Sequence, residues 1–197
     1  VIFGQDDDDV LYGDAGNDVI TGDAVTAIST NGAGGADTIY GGDGMDTIYG
    51  CEGDDRISGG RHADTIYGDG DDSASSNGPD VTCDGTLGAD KINGGAGGDT
   101  AFGGANGDTI HGGGGPDMLR GNAGYDYLWG GKGDDFLFGD DHDDHLWGEA
   151  DDDTLFGGDG DDMLWGYPGN DDDWCGPGLA DEANHRDGTF HDGELFF

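Results

Sequence analysis

The chain has 197 residues and a formal net charge of −39 at pH 7, from 45 Asp and Glu side chains against 6 Lys and Arg. Leu, Ile, Val and Phe make up about 16% of the residues, and so apolar-poor and charged a chain builds no ordinary globular core unless its acids are neutralised. The charge excludes nucleic-acid binding, and no apolar run approaches the roughly 18 residues of a membrane-spanning helix.

Aspartate dominates the acidic residues. Only 4 of the 45 acids are Glu, which leaves 41 Asp, and 46 residues are Gly. Asp is short, tolerates turn conformations and hydrogen-bonds its own backbone, so this composition indicates carboxylates held in tight turns. Calcium binds carboxylates and backbone carbonyls in such turns, and the composition therefore predicts cation sites.

The chain begins inside a nine-residue pattern with Gly at position 1, Asp at position 6 and an apolar residue at position 8. Val1-Ile2-Phe3 fit positions 7 to 9 of an earlier repeat, so we expect the chain to be part of a longer protein. Two complete repeats follow over residues 4–21. Residues 22–31 then interrupt the pattern, and we interpret them as an irregular turn or loop.

Four further repeats occupy residues 32–67 and precede a second interruption at 68–84. This interruption contains Gly78-Pro79-Asp80-Val81, which echoes Gly115-Pro116-Asp117-Met118 in a regular repeat. We interpret it as a degenerate turn or loop with Asp80 as an additional ligand, and a disordered linker is the competing interpretation.

Ten unbroken repeats run from 85 to 174 and bring the total to sixteen. Position 1 is Gly and position 6 is Asp in all sixteen, and position 8 is Leu or Ile in fourteen, with Ala101 and Asp173 as the exceptions. Position 4 is Gly in eleven. We expect the other five, whose residue types tolerate a left-handed backbone, to adopt one: Asp7, His62, Asn106, His142 and Asp151.

The motif Gly-Gly-x-Gly-x-Asp-x-(Leu/Ile)-x, seen in Gly157-Gly158-Asp159-Gly160-Asp161-Asp162-Met163-Leu164-Trp165, resembles the RTX or haemolysin-type calcium-binding nonapeptide. The resemblance covers residues 1–174. It implies an all-β fold, a parallel β-roll (a right-handed β-helix solenoid) in which two repeats form one 18-residue turn. It further implies that six Gly-rich residues form each bend and the last three a short strand.

The pattern also predicts where side chains lie. In each strand position 8 points inward and positions 7 and 9 point outward. Bends need Gly for positive φ and close approach, and stacked bends present oxygen ligands suited to several Ca²⁺ ions. The predicted carbonyl ligands include Gly42, Gly44, Gly95, Gly97, Gly131, Gly133, Gly158 and Gly160. The predicted carboxylate ligands are Asp9, Asp18, Asp37, Asp46, Asp55, Asp64, Asp90, Asp99, Asp108, Asp117, Asp126, Asp135, Asp144, Asp153, Asp162 and Asp171.

Position 9 is aromatic in eleven of the sixteen repeats. We expect two outward rows, one of Trp129, Trp147 and Trp165 and one, on the opposite sheet, of Phe138, Phe156 and Trp174. The rings could stiffen their face by stacking. Alternatively they form a contact surface for sugar rings, for another protein face or for lateral self-association.

The remaining features are less specific. Cys51, Cys83 and Cys175 are odd in number, so one disulfide and one thiol are compatible with secretion, but the pairing stays open. His142 and His145 are interpreted as solvated surface residues. Residues 175–197 lose the period, and we expect a C-terminal cap for the roll or a secretion-signal segment, since Glu194-Leu195-Phe196-Phe197 resembles the end of type I secretion substrates.

The sequence thus predicts a non-catalytic calcium-binding module that folds on binding Ca²⁺ outside the cell or at its surface. It would serve as a structural or secretion-associated part of a larger secreted protein, with calcium as its partner and with neither nucleic acid nor a membrane span. One alternative is an adhesin or carbohydrate-binding module that uses the aromatic rows. Another is the C-terminal export domain of a secreted hydrolase.

Overall fold

The structure is a computed structural model that describes residues 1–4, 9–21, 35–51, 53–68, 88–178, 182–185 and 189–192, the last two segments as backbone. The described residues form nineteen β-strands. In chain order these are β1 (Ile2–Phe3), β2 (Val10–Ala15), β3 (Val19–Thr21), β4 (Thr38–Asp43), β5 (Thr47–Tyr49), β6 (Arg56–Arg61), β7 (Thr65–Tyr67), β8 (Lys91–Ala96), β9 (Thr100–Ala105), β10 (Thr109–Gly114), β11 (Met118–Ala123), β12 (Tyr127–Lys132), β13 (Phe136–Asp141), β14 (His145–Ala150), β15 (Thr154–Asp159), β16 (Met163–Tyr167), β17 (Asp172–Gly176), β18 (Glu182–His185) and β19 (Thr189–Asp192).

The chain alternates between two parallel sheets. The odd-numbered strands form a ten-stranded sheet and the even-numbered strands a nine-stranded sheet, each in sequence order. Within the unbroken repeats the paired strand residues lie two repeats apart, as Ile110 and Leu128 do. The predicted all-β parallel roll with two repeats per turn is confirmed.

The strands are longer than the family resemblance implied. Most have six residues and run from position 7 of one repeat to position 3 of the next, as in β12. The pairing of Gly113 with Gly131 and of Gly114 with Lys132 shows that positions 2 and 3 continue the hydrogen-bonded ladder. The expectation of three-residue strands was wrong here, because the glycines extend the ladder and leave only positions 4 to 6 for the bend.

Two files of position-8 side chains, one from each sheet, form the core between the sheets. Their Leu and Ile residues are at most 9% exposed, and most are completely buried. Ala101 and Asp173, the two exceptions to the pattern, occupy the same inward files and are also fully buried. The predicted inward direction of position 8 is therefore confirmed.

The stack continues in phase across both interruptions. β2 pairs directly with β4, with Leu11 opposite Ile39, and β6 pairs directly with β8, with Ile57 opposite Ile92. The interruptions themselves, Asp80 included, lie almost wholly outside the described residues. Their assignment as turns or loops stays a prediction.

The first and the last described strands also take part in the stack. β1 pairs with β3 so that Ile2 lies opposite Ile20, as expected for positions 7 to 9 of an earlier repeat. At the other end β18 and β19 each extend one sheet, with a shift of register in both pairings. The described residues contain no helix able to cross a membrane.

The cysteines differ in state. Cys51 is disulfide-bonded, whereas Cys175 is a buried thiol in the core. Cys83 lies outside the described residues.

Candidate metal sites between the rungs

The position-6 aspartates form two columns, one along each edge of the roll. One column begins with Asp9 and the other with Asp18, and these two N-terminal members are half-buried. The other fourteen are at most 2% exposed. So deep a burial of carboxylates is rare unless a counter-charge or hydrogen bonds compensate for the loss of water.

One oxygen of each buried carboxylate holds the stack together. Oδ1 accepts a hydrogen bond from the backbone N–H of the position-6 Asp one turn of the roll, or rung, earlier. Asp135 Oδ1 accepts from Asp117 N–H at 2.8 Å, and Asp144 Oδ1 accepts from Asp126 N–H at 2.8 Å. The Asp whose N–H donates this bond also uses its backbone carbonyl, which accepts the N–H of position 7 one rung later. Asp117 O, for example, accepts from Phe136 N–H. The aspartates therefore lock successive bends in register.

The second carboxylate oxygen differs from the first in eight of these aspartates. Oδ2 is buried without a hydrogen-bond partner in eight of these residues: Asp46, Asp64, Asp99, Asp117, Asp126, Asp135, Asp144 and Asp153. A buried acceptor left in this state costs the full desolvation penalty of the group. A cation at Oδ2 would compensate for that cost.

A backbone carbonyl oxygen lies beside six of these eight acceptors, those of Asp46, Asp64, Asp99, Asp117, Asp135 and Asp144. A Cβ atom on Gly112 would lie closer than 3.0 Å both to Asp117 Oδ2 and to the carbonyl oxygen of Gly130, one rung on. A Cβ on Gly139 would meet Asp144 Oδ2 and the Gly157 carbonyl in the same way. Position-1 glycines thus keep open a space into which a carboxylate and a carbonyl oxygen converge.

This donor set fits calcium. It contains only oxygen atoms, it carries negative charge, and it repeats at every rung, which suits a hard cation rather than zinc or copper. The described residues contain no group of three or more His, Cys, Asp or Glu side chains that could hold a metal by themselves. Backbone carbonyls, which are common calcium ligands, are available beside the carboxylates as further donors.

Burial raises the pKa of seven column carboxyls, those of Asp64, Asp99, Asp117, Asp126, Asp135, Asp144 and Asp153. Desolvation is the largest cause, and repulsion from neighbouring aspartates adds to it in most cases, while the backbone N–H that each Oδ1 accepts lowers the pKa. The pKa is raised to about 8 for Asp144 and Asp153, and to about 7 for Asp117. Without a cation, these groups hold protons far more readily than an exposed Asp does.

The carbonyls that were predicted as ligands, at positions 2 and 4, point in a different direction from the position-1 carbonyls. Carbonyls at positions 2 and 4 point along the stack towards the next rung, as Gly95 does towards Gly113 and Gly97 towards Gly115. The carbonyl beside the carboxylate belongs to position 1, which the sequence argument did not single out. The presence of Gly there in all sixteen repeats was the available signal. The individual ligand assignments stay a prediction.

The left-handed positions follow the sequence expectation. His62, Asn106, His142 and Asp151, which replace Gly at position 4, all have φ between 70 and 87°. Asp7 lies outside the described residues. The bends thus keep one backbone conformation whichever of these residue types occupies position 4.

The aromatic rows also lie as predicted. Trp129, Trp147 and Trp165 stack along the nine-stranded sheet with centroids 4.5 and 5.2 Å apart. Phe138, Phe156 and Trp174 form the second row, on the ten-stranded sheet, at 4.9 and 6.2 Å. The rings cover one another's faces, which favours the stiffening role.

His142 lies at the surface, and His145 packs against the tryptophan row. His142 is exposed and its Nδ1 lies 2.8 Å from the Asp141 carbonyl, whereas His145 is tilted against Trp147. Neither belongs to a metal-binding cluster among the described residues.

Comparison with known protein families gives an independent result. The family model for the RTX calcium-binding nonapeptide repeat (4 copies) matches residues 1–25, 31–50, 41–73, 84–119, 111–141 and 138–172. Its matches skip part of each interruption and stop close to the last regular repeat. A search of curated proteins found no match.

Proposed function

This chain belongs to the RTX calcium-binding nonapeptide repeat family, and from that premise we propose that it is a segment of a larger secreted protein that folds when it meets extracellular calcium. The chain is a calcium-binding structural repeat module that binds several Ca²⁺ ions. What we propose is that the module lies outside the cell and that its folding is coupled to export. Cys51, being disulfide-bonded, supports an oxidising compartment.

The column of buried Oδ2 atoms carries this proposal. Two stacks of carboxylates lie inside a chain of net charge −39, and the hydrophobic core is only one side chain wide in each sheet. Bound calcium supplies positive charge and coordination to these oxygens. Because the unfolded chain does not hold carboxylates and carbonyls in place, calcium binds the folded form and shifts the equilibrium towards it.

Calcium levels then decide where the chain folds. Extracellular calcium modules typically have dissociation constants of roughly 0.1–1 mM. With affinities in that range, the sites stay empty in a low-calcium cytosol and fill outside the cell. A chain exported in the unfolded state would be prevented from sliding back once its rungs had formed.

Circular dichroism with and without calcium tests the proposal. We expect a coil spectrum in chelator and a β-sheet spectrum in millimolar CaCl₂. MgCl₂ at the same concentration is the control, and we expect it to replace calcium poorly because Mg²⁺ demands a small octahedral site. A β-sheet spectrum of unchanged thermal stability in chelator at neutral pH would refute calcium-dependent folding.

A further inference from the structure

A groove of about 400 Å³ crosses the outer face of the nine-stranded sheet near its C-terminal end. It extends over β12, β14 and β16, between the tryptophan row and position 3 of each strand. Its chemically distinctive lining residues are Trp129, Trp147, Lys132, Glu149, Tyr167 and Pro168. The groove lies outside the Asp columns, because its side chains occupy outward positions 9, 2 and 3.

Two of these residues, Glu149 and Tyr167, replace the glycine of position 2 and strain the backbone. Position 2 of the even-numbered strands has positive φ throughout, and it is Gly at five consecutive rungs, the last of them Gly131. The next two rungs carry Glu149 at φ 79° and Tyr167 at φ 71°. Large side chains rarely adopt this conformation, and where they do so beside a cavity the strain indicates function.

The groove offers complementary chemistry for a polyol. Glu149 provides a hydrogen-bond acceptor and Lys132 a donor, and their charges cancel. Tyr167 is 48% exposed and takes part in no ring stack among the described residues, so its ring can contact a ligand. Trp129 and Trp147, whose faces are covered by stacking, provide only their edges.

We propose that this groove binds a neutral saccharide. An acidic glycan or another polyanion would be repelled by the net charge of −39, whereas an uncharged sugar loses nothing in that field. Sugars present both hydroxyl groups for Glu149 and Lys132 and apolar C–H faces for Tyr167 and Pro168. The site extends the proposed function but requires only the folded roll.

The test uses the full chain in saturating calcium, titrated with neutral glucose, mannose and galactose oligomers of six residues. Isothermal titration calorimetry and tryptophan fluorescence report binding. We expect saturable binding of at least one oligomer at a single site. Glu149→Gly and Tyr167→Gly should each weaken it roughly tenfold or more, because a hydrogen bond to a charged group or an aromatic contact is lost.

Both substitutions restore the glycine of the repeat, so they relieve left-handed strain and the roll should fold as before. Asn122→Gly is the matched control, since Asn122 holds position 2 at φ 78° on the other sheet, away from the groove. It should leave saccharide affinity unchanged. Circular dichroism in calcium verifies the fold of every variant.

Three outcomes would overturn the proposal. The first is that no oligomer binds the folded wild-type chain. The second is that Glu149→Gly and Tyr167→Gly bind as well as Asn122→Gly. The third is that a proline-rich peptide binds the groove while sugars do not. Each is measured on folded protein in calcium, so none depends on whether calcium is needed for folding or on where the protein resides.

Discussion

The position-1 glycines are required for space rather than for backbone freedom. None of those described has positive φ, so alanine could adopt the backbone conformation of Gly112. The missing Cβ instead leaves room for Asp117 Oδ2 and the Gly130 carbonyl. The same glycine that keeps the rungs close therefore keeps the oxygen donors together.

Gly112→Ala should lower the stability of the calcium-bound roll by about 1–3 kcal/mol, because the methyl group overfills the space between the rungs. Gly114→Ala is the matched control, since a Cβ there would meet nothing within 4 Å and its φ is not positive. It should be neutral or slightly stabilising. Thermal unfolding in saturating calcium compares the two, and equal stabilities would contradict the spatial role of position 1.

The column aspartates should show effects of opposite sign with and without calcium. Asp126→Asn retains an oxygen that can accept the Asp108 N–H but removes a buried charge. In calcium it should cost about 1–3 kcal/mol and raise the calcium concentration at the folding midpoint, because a charged ligand is lost. In chelator it should stabilise the roll, because an uncompensated charge is gone.

Asp141→Asn provides the control for that experiment, because Asp141 is an exposed position-3 residue with the same charge. It should change the calcium midpoint little, since exposed charges are screened by solvent. Calcium titrations followed by circular dichroism measure both variants. Equal midpoint shifts would mean that overall charge, rather than the column, determines calcium dependence.

At the scale of the strand, stacked aromatic rings couple neighbouring rungs. Trp147 lies between Trp129 and Trp165 with interplanar angles of 8 and 6°. Each such pair contributes about 0.5–1.5 kcal/mol beyond the burial of its area. The rows thus add stability along the roll, where the core is thin.

Trp147→Ala should therefore destabilise the calcium-bound roll by about 2–4 kcal/mol, from two lost stacks and the partial burial of the ring. Phe136→Ala is the control, because Phe136 is 48% exposed and joins no ring stack among the described residues. It should cost less than about 1 kcal/mol. Urea unfolding in calcium gives both values, and equal losses would show that stacking adds nothing.

The strands show which features of the fold the sequence could predict and which it could not. The period predicted the register, the inward Leu and Ile column and the aromatic rows, because each follows from side-chain alternation and from two repeats per turn. It did not predict six-residue strands, since glycine is unfavourable in isolated strands and only pairing with the next rung extends the ladder to Gly131. The position-1 carbonyl was missed because it comes near Asp117 Oδ2 only through the stacking of one rung on the next, which the sequence of a single repeat does not show.

At the scale of the whole molecule, protons and calcium compete for the same carboxylates. In the absence of calcium, the folded-state pKa is about 6 for Asp64, Asp126 and Asp135, about 7 for Asp117 and about 8 for Asp144 and Asp153, against an ordinary Asp value of 3.8. At pH values between the unfolded pKa and these folded-state pKa values, the folded chain therefore binds more protons than the unfolded chain. The stability that this contributes is fully present below the unfolded pKa and is lost as the pH rises through 6 to 8.

Acidification should therefore partly replace calcium. In calcium-free buffer, lowering the pH from 9 to 5 should increase the β-sheet signal and the resistance to urea, because the buried carboxyls become neutral. In calcium the trend should reverse, since protons displace the cation, and the midpoint calcium concentration should rise as the pH falls from 8 to 6. Asp144→Asn, which cannot titrate at that position, should weaken both trends, whereas Asp141→Asn should not. A calcium-free chain that loses β-structure on acidification would show that the ionised, buried carboxylates do not oppose folding.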